Sequence, residues 1–124
     1  MLESSDLVAF VAATDLGRAQ VFYEQKLGLR VLERNDFACV LDANGTMLRV
    51  TAVPEVAQAR YTVLGWRVGD IAAAVRDLAA RGVTFLRHDG MNQDQDGVWT
   101  TSTGAKVAWF ADPDGNTLSL TQGG

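Results

Sequence analysis

The sequence predicts an α+β protein made of two tandem copies of one strand–helix–three-strand unit. Three observations predict it. Asp15-Leu16 and Asp70-Ile71, 55 residues apart, each open a helical stretch. Asp42-Ala43-Asn44-Gly45 and Asp112-Pro113-Asp114-Gly115 follow them, with both the Asp pair and the Gly pair 70 residues apart. The difference in offset means that about fifteen residues are added inside the second copy. Apolar residues between these landmarks alternate with period two, as strands with one buried face require. A unit this small cannot bury its own apolar face, so the copies are expected to pack on each other and to leave a cleft suited to a ligand or a reaction.

The first copy reads in order. Leu7–Val11 is an apolar strand. Thr14 or Asp15 can cap the next helix, which is expected to run to about Lys26 and stop at Gly28, where a left-handed residue ends helices most readily. Leu16, Ala19, Phe22, Tyr23 and Leu27 recur near helical spacing and form its buried stripe. Leu29–Arg34 and Phe37–Leu41 are the next strands. Asn44-Gly45 is a strong hairpin signal, because both residues tolerate positive φ. Met47–Val53 closes the copy, and Pro54–Arg60 is the linker.

In the second copy, Thr62–Val68 is a strand. Asp70 to about Arg81 is a helix ending at Gly82, with Ile71, Val75, Leu78 and Ala79 inward. Val83–Arg87 is expected to be a strand, and the polar, glycine-rich His88–Gly97 a mobile rim loop. Val98–Thr101 is a short strand. Lys106–Ala111 and Thr117–Thr121 form the last hairpin around Asp112-Pro113-Asp114-Gly115-Asn116, where paired carboxylates serve turn chemistry and Gly115 supplies positive φ.

Composition narrows the function. With 124 residues and 48% apolar content the chain suits one ordered core. A net charge of −4 and a pI of about 4.8 argue against a nucleic-acid partner. No apolar run reaches membrane-spanning length and no secretory leader is evident, so no membrane partner is expected. Cys39 is the only cysteine, which rules out an internal disulfide and favours a cytoplasmic setting. No phosphate loop, dinucleotide fingerprint or nucleophile elbow is present. His88 is the only histidine, so a Ser-His-Asp triad has little support. Asp89, Asp94 and Asp96 near it read as a solvated acidic loop. The Asp94-x-Asp96-Gly97 spacing lacks the distal glutamate of a calcium loop. Cys39, with no basic neighbour, reads as a buried strand residue and not a nucleophile.

The Asp15-Leu16 … Phe22-Tyr23 … Leu27-Gly28-Leu29 run and the Trp109-Phe110-Ala111-Asp112-Pro113-Asp114-Gly115-Asn116 run resemble the vicinal oxygen chelate superfamily of glyoxalase I, bleomycin-resistance proteins, fosfomycin-resistance enzymes and extradiol dioxygenases. The resemblance covers nearly the whole chain. It implies a single domain over residues 1–124, with a module at about 5–53, a linker at 54–60 and a second module at about 61–122. It further implies that the two βαβββ modules have curved mixed sheets enclosing a cavity, and that the chain is a homodimer. Enzymes of the superfamily hold a divalent metal at four strand positions. Carried over residue by residue, these fall on Val8, Arg49, Val63 and Ser119. Valine has no donor atom, arginine has no lone pair to offer, and serine is a poor ligand. No metal and no cofactor are therefore expected.

Alternation extends those four positions into a face. Residues two apart share a side, which adds Asp6, Phe10, Met47, Thr51, Gly65, Arg67, Thr117 and Thr121. The opposite parity — Leu7, Ala9, Val11, Leu48, Val50, Leu64, Trp66, Val68, Leu118 and Leu120 — is almost wholly apolar, as a helix-packed face should be, and assigns Trp66 to the core. Arg49 projects where a metal would otherwise sit. It either binds a carboxylate, phosphate or enolate bidentately, or points to the rim or pairs with Asp6 or another carboxylate. Arg67 is expected at the mouth. Trp99 and Trp109 are candidates for an aromatic wall against a planar ligand. Strand parity after Ser102–Ala105 leaves Trp109 open between core and cavity, and Trp99 open between mouth and plain surface packing.

The ligand-binding candidates are thus Val8, Phe10, Met47, Arg49, Val63, Arg67, Trp99, Trp109, Ser119 and Thr121. The expected function is metal-free binding of a small molecule, with sequestration of an aromatic or drug-like ligand as one form of it. The alternative is an enzyme of lyase, isomerase or dioxygenase type, either using Arg49 without metal or holding metal through ligands not recognised in the sequence.

Overall fold

The computed structural model describes residues 1–123. It divides into two compact units, Met1–Ala57 and Gln58–Gly124, each with one four-stranded mixed sheet. The boundary falls inside the expected linker.

In the first unit a 3-10 turn at Leu2–Ser4 precedes β1 (Val8–Ala13), α1 (Leu16–Gln20), β2 (Arg30–Arg34), β3 (Ala38–Ala43) and β4 (Thr46–Ala52). The sheet order is β1-β4-β3-β2, with β1 parallel to β4 and the other pairs antiparallel. The Asp15 carboxylate caps α1 by accepting from the Arg18 amide at 3.0 Å. The helix departs from expectation in its second half. Val21–Lys26 is a π-helical turn, closed by the Leu27 amide donating to the Phe22 carbonyl at 3.0 Å. Phe22 and Tyr23, though consecutive, are both buried there and meet edge-to-face at 5.0 Å. Gly28, at φ +80, then ends the helix. The helix packs on the sheet face that carries Val11, Cys39, Leu41, Leu48 and Val50, all buried. Asn44 at φ +52 and Gly45 at φ +90 make the two-residue turn between β3 and β4, and the Asp42 carboxylate accepts from the Gly45 amide at 3.0 Å.

The second unit repeats the plan with β5 (Leu64–Arg67), α2 (Ile71–Ala80), β6 (Trp99–Thr100), β7 (Lys106–Ala111) and β8 (Thr117–Gln122), in the order β5-β8-β7-β6. Asp70 caps α2 through the Ala73 amide at 3.1 Å, and the α2 C-terminus turns at Gly82, φ +91. Ile71, Val75, Val83, Ala108, Phe110, Leu118 and Leu120 are buried, and Trp66 stacks on Phe110 at 6.3 Å on the core side.

One expectation for the added segment needs correction. Val83–Arg87 is not a continuous strand. Only Phe85 bridges Phe110, and the Leu86 amide donates to the Trp109 carbonyl at 2.7 Å. The Gln93 side chain takes over where further strand pairing would run. Its Nε2 donates to the carbonyls of Leu86 at 3.0 Å and Gly97 at 2.8 Å, and its Oε1 accepts from the His88 amide at 2.7 Å. Within the His88–Gly97 loop, Asp94 Oδ1 also accepts from the amides of Asp96 and Val98 at 2.9 Å. Backbone polar groups that leave a ladder must find partners, and here side chains within the loop supply them.

Candidate functional site

Strand register settles which side chains share a face of the second sheet. Gly65 pairs with Ser119, and Ser119 with Trp109. Arg67 pairs with Thr121, Thr121 with Val107, and Val107 with Trp99. Residues directly opposite across a ladder project to the same side. Trp99, Trp109, Ser119, Arg67 and Thr121 therefore lie on one face, opposite to the Leu118–Leu120 core side. Val63, two residues before Gly65, has the same parity, and its amide donates to the Thr117 carbonyl at 2.9 Å. The Trp99 and Trp109 rings are 6.2 Å apart with planes at 30°. Both are half-buried, so each keeps an open surface.

Two features of this face escaped sequence reasoning. Gly65 packs closely on Ser119, which is buried: a Cβ at position 65 would stand 2.9 Å from Ser119 Oγ. Only a residue without a side chain fits at that distance. His88, assigned by sequence to the solvated loop, packs edge-on against Trp109 at 5.0 Å and 85°. A signal for it existed. Alternation carried from Phe85, which is on the core side with Phe110, puts Leu86 and His88 on the opposite side. Beside this ring a cavity of about 480 Å³ is lined by Gln58, Ala59, Arg60, His88, Gly115 and Thr117.

On the first sheet, Val8 pairs with Met47, and Phe10 and Val40 flank Arg49. Val8, Phe10 and Met47 are 38%, 62% and 40% exposed. Arg49 is half-buried, and among the described residues its guanidinium makes no hydrogen bond or ion pair, with Asp6 or any other carboxylate. The polar cavity of about 540 Å³ near the start of α1 is lined by Asp15, Arg34, Asn35 and Asp36 and by none of the binding candidates.

The remaining polar residues have structural work. Asp112 is buried. Its Oδ1 accepts from the amides of Asp114 at 3.0 Å and Asn116 at 2.9 Å, and its Oδ2 from Asn116 Nδ2 at 2.8 Å. Cys39 is fully buried, and burial pushes its thiol above the usual range, away from a reactive thiolate.

Paired strand–helix–three-strand units, each ending in an Asp-anchored hairpin and each presenting an open sheet face, define a protein of the tandem βαβββ class. The chain belongs to the Glyoxalase/Bleomycin resistance protein/Dioxygenase superfamily, whose family model matches residues 6–120. No curated protein matches it in sequence. Among solved structures it is similar to the genomically encoded fosfomycin resistance protein from Listeria monocytogenes, with a TM-score of 0.77, 12% identity and coverage of 98% of this chain and 94% of that one. It is similar to a glyoxalase family protein from Enterococcus faecalis, with a TM-score of 0.73, 22% identity and coverage of 98% and 99%. A lactoylglutathione lyase from Agrobacterium tumefaciens gives a TM-score of 0.72 at 15% identity, covering 97% and 94%. At these identities the likeness establishes the fold.

The divalent metal that the family resemblance implies does not fit this donor set. In the first unit the positions that the resemblance carries over are Val8 and Arg49, a hydrocarbon and a cation. In the second they are Val63 and Ser119, of which only the Ser119 hydroxyl carries a lone pair to offer. Among the described residues no group of three or more His, Cys, Asp or Glu is placed to hold a metal ion.

Proposed function

We propose that this protein is a metal-free small-molecule-binding member of its superfamily, which sequesters an aromatic or drug-like ligand on the Trp99–Trp109 face of the second sheet. The observation that carries this reading is the pair of half-open indoles on the same face as Ser119, where among the described residues no group of three or more His, Cys, Asp or Glu could hold a metal ion. Large flat side chains give contact area at little entropic cost and suit planar ligands. Taken by itself, Arg49 of the first unit, which makes no hydrogen bond or ion pair among the described residues, is a candidate contact for an anionic or carbonyl group. Bleomycin and fosfomycin, named in the superfamily and in one structural relative, are the first probes. Saturable quenching of tryptophan emission by a probe, with recovery of that probe unaltered, supports binding; chemical turnover of the probe refutes simple sequestration.

The second reading is a superfamily enzyme of lyase, isomerase or dioxygenase type that uses Arg49 as a fixed positive charge. It is favoured by the similarity to a lactoylglutathione lyase and by the lack, among the described residues, of a hydrogen-bond or ion-pair partner for that guanidinium. A homodimer in the cytoplasm is the setting we propose. Exposed apolar side chains such as Phe10 and Leu7 support the dimer, and a lone buried thiol suits a reducing compartment.

A further inference from the structure

We infer that the cavity beside Trp109 is an oxyanion subsite, and that the ligand is an aromatic acid whose ring lies on the tryptophans and whose carboxylate or phosphoryl group enters between Arg60 and His88. The inference rests on the binding reading above and names the ligand class. Four observations support it. The cavity holds about 480 Å³, room for an acidic group and its water. Arg60 and His88 bring N–H groups to its lining, and no carboxylate lines it. Arg60 makes no hydrogen bond or ion pair among the described residues, in a protein whose net charge is −4 and which has acids to spare. His88 joins the cavity to the aromatic face, since the same residue lines the one and its ring meets Trp109 in the other.

The local chemistry selects an anion over a cation or a neutral polar group. The Thr117 hydroxyl donates to the Ala59 carbonyl at 2.9 Å, which ties the segment before Arg60 to β8. Gln58 is held near the turn by its amide, which donates to the Asp114 carbonyl at 3.4 Å. Gly115, at φ +83, lies directly under that side chain: a Cβ there would be 2.4 Å from Gln58 Nε2. With both flanks tied, the open donors are the Arg60 fork and an N–H of the His88 ring. A guanidinium presents two parallel N–H groups to a carboxylate or phosphoryl group, and charge-assisted bonds of this kind outcompete neutral ones. A cation would meet Arg60 with nothing to offset the repulsion.

The test titrates the full chain with benzoate, phenylphosphonate, inorganic phosphate and benzyl alcohol, followed by tryptophan emission and by calorimetry. Benzoate or phenylphosphonate should bind about tenfold more tightly than benzyl alcohol, and whichever acid is tighter identifies a carboxylate or a phosphoryl source. Arg60→Ala and His88→Gln should each cut that acid-over-alcohol preference about fivefold or more, with melting temperatures checked to exclude misfolding. Equal affinity for acid and alcohol would overturn the subsite and leave the aromatic binding face standing. The same holds if only Arg49→Ala erases the preference. Inorganic phosphate binding as tightly as phenylphosphonate would overturn the link to the tryptophans. No binding by these probes or by bleomycin would overturn both readings.

Discussion

The His88 imidazole stands edge-on to the Trp109 indole, ring centroids 5.0 Å apart and planes at 85°. Trp109 in turn faces Trp99 at 6.2 Å. An edge-to-face contact places the positive ring edge against the negative π-face, and such pairs contribute about 0.5–1.5 kcal/mol beyond simple burial. The only histidine of the chain thus packs against an indole whose face sequence parity leaves open.

Trp109→Ala should weaken binding of any aromatic probe by about 1–2 kcal/mol, and Trp109→Phe should restore part of the loss. Tryptophan-emission titration of the Trp99-containing variant measures it. Unchanged affinity in Trp109→Ala would place the ligand elsewhere.

Arg49→Ala should lower affinity for an anionic or carbonyl-bearing ligand by about 1.5–3 kcal/mol if the guanidinium makes a charge-assisted contact. Because Arg49 has no ion-pair or hydrogen-bond partner among the described residues, folding stability should change little. A large drop in melting temperature with no change in affinity would assign Arg49 a structural role.

Elemental analysis after dialysis should find Zn, Ni, Fe and Mn each far below one equivalent per chain, since catalytic zinc needs about three protein ligands. A metal retained near one equivalent would restore the metal-dependent enzyme.

The two repeat-related turn aspartates should differ in importance. Asp112 is buried and accepts three hydrogen bonds, so Asp112→Ala should cost about 2–4 kcal/mol in urea unfolding. Asp42 accepts from the Gly45 amide and lies 3.8 Å from an exposed Arg30, so Asp42→Ala should cost about 1 kcal/mol. Equal costs would mean that the Gly45 and Gly115 turns, not the carboxylates, hold the hairpins.

Light scattering at micromolar concentration should give twice the 13.4 kDa chain mass. A specific two-fold interface typically buries about 1,200–2,000 Å². A mass near that of one chain, unchanged on concentrating, would exclude the dimer.

Much of the fold is legible because its signals are local. Asp15 and Asp70 cap helices through an amide three residues on. Gly28 and Gly82 supply the left-handed stops, and Asn44-Gly45 the tight turn. Alternation separates Val11, Leu48 and Val50 from Phe10, Met47 and Arg49 within a single strand length. Each signal acts over a few residues, where sequence spacing and spatial spacing coincide. Tertiary structure alone decided the rest. Trp109 is turned by its register with Ser119 across β8, which an irregular approach hides from parity counting. The π turn at Val21–Lys26 buries two consecutive rings against a shared core. The hydrogen bonding of His88–Gly97 runs through the Gln93 amide, which could hold any carbonyl within reach until the chain brought Leu86 and Gly97 to it. Such contacts join residues whose separation in sequence carries no period, so they exist only once the packed chain has brought the partners together.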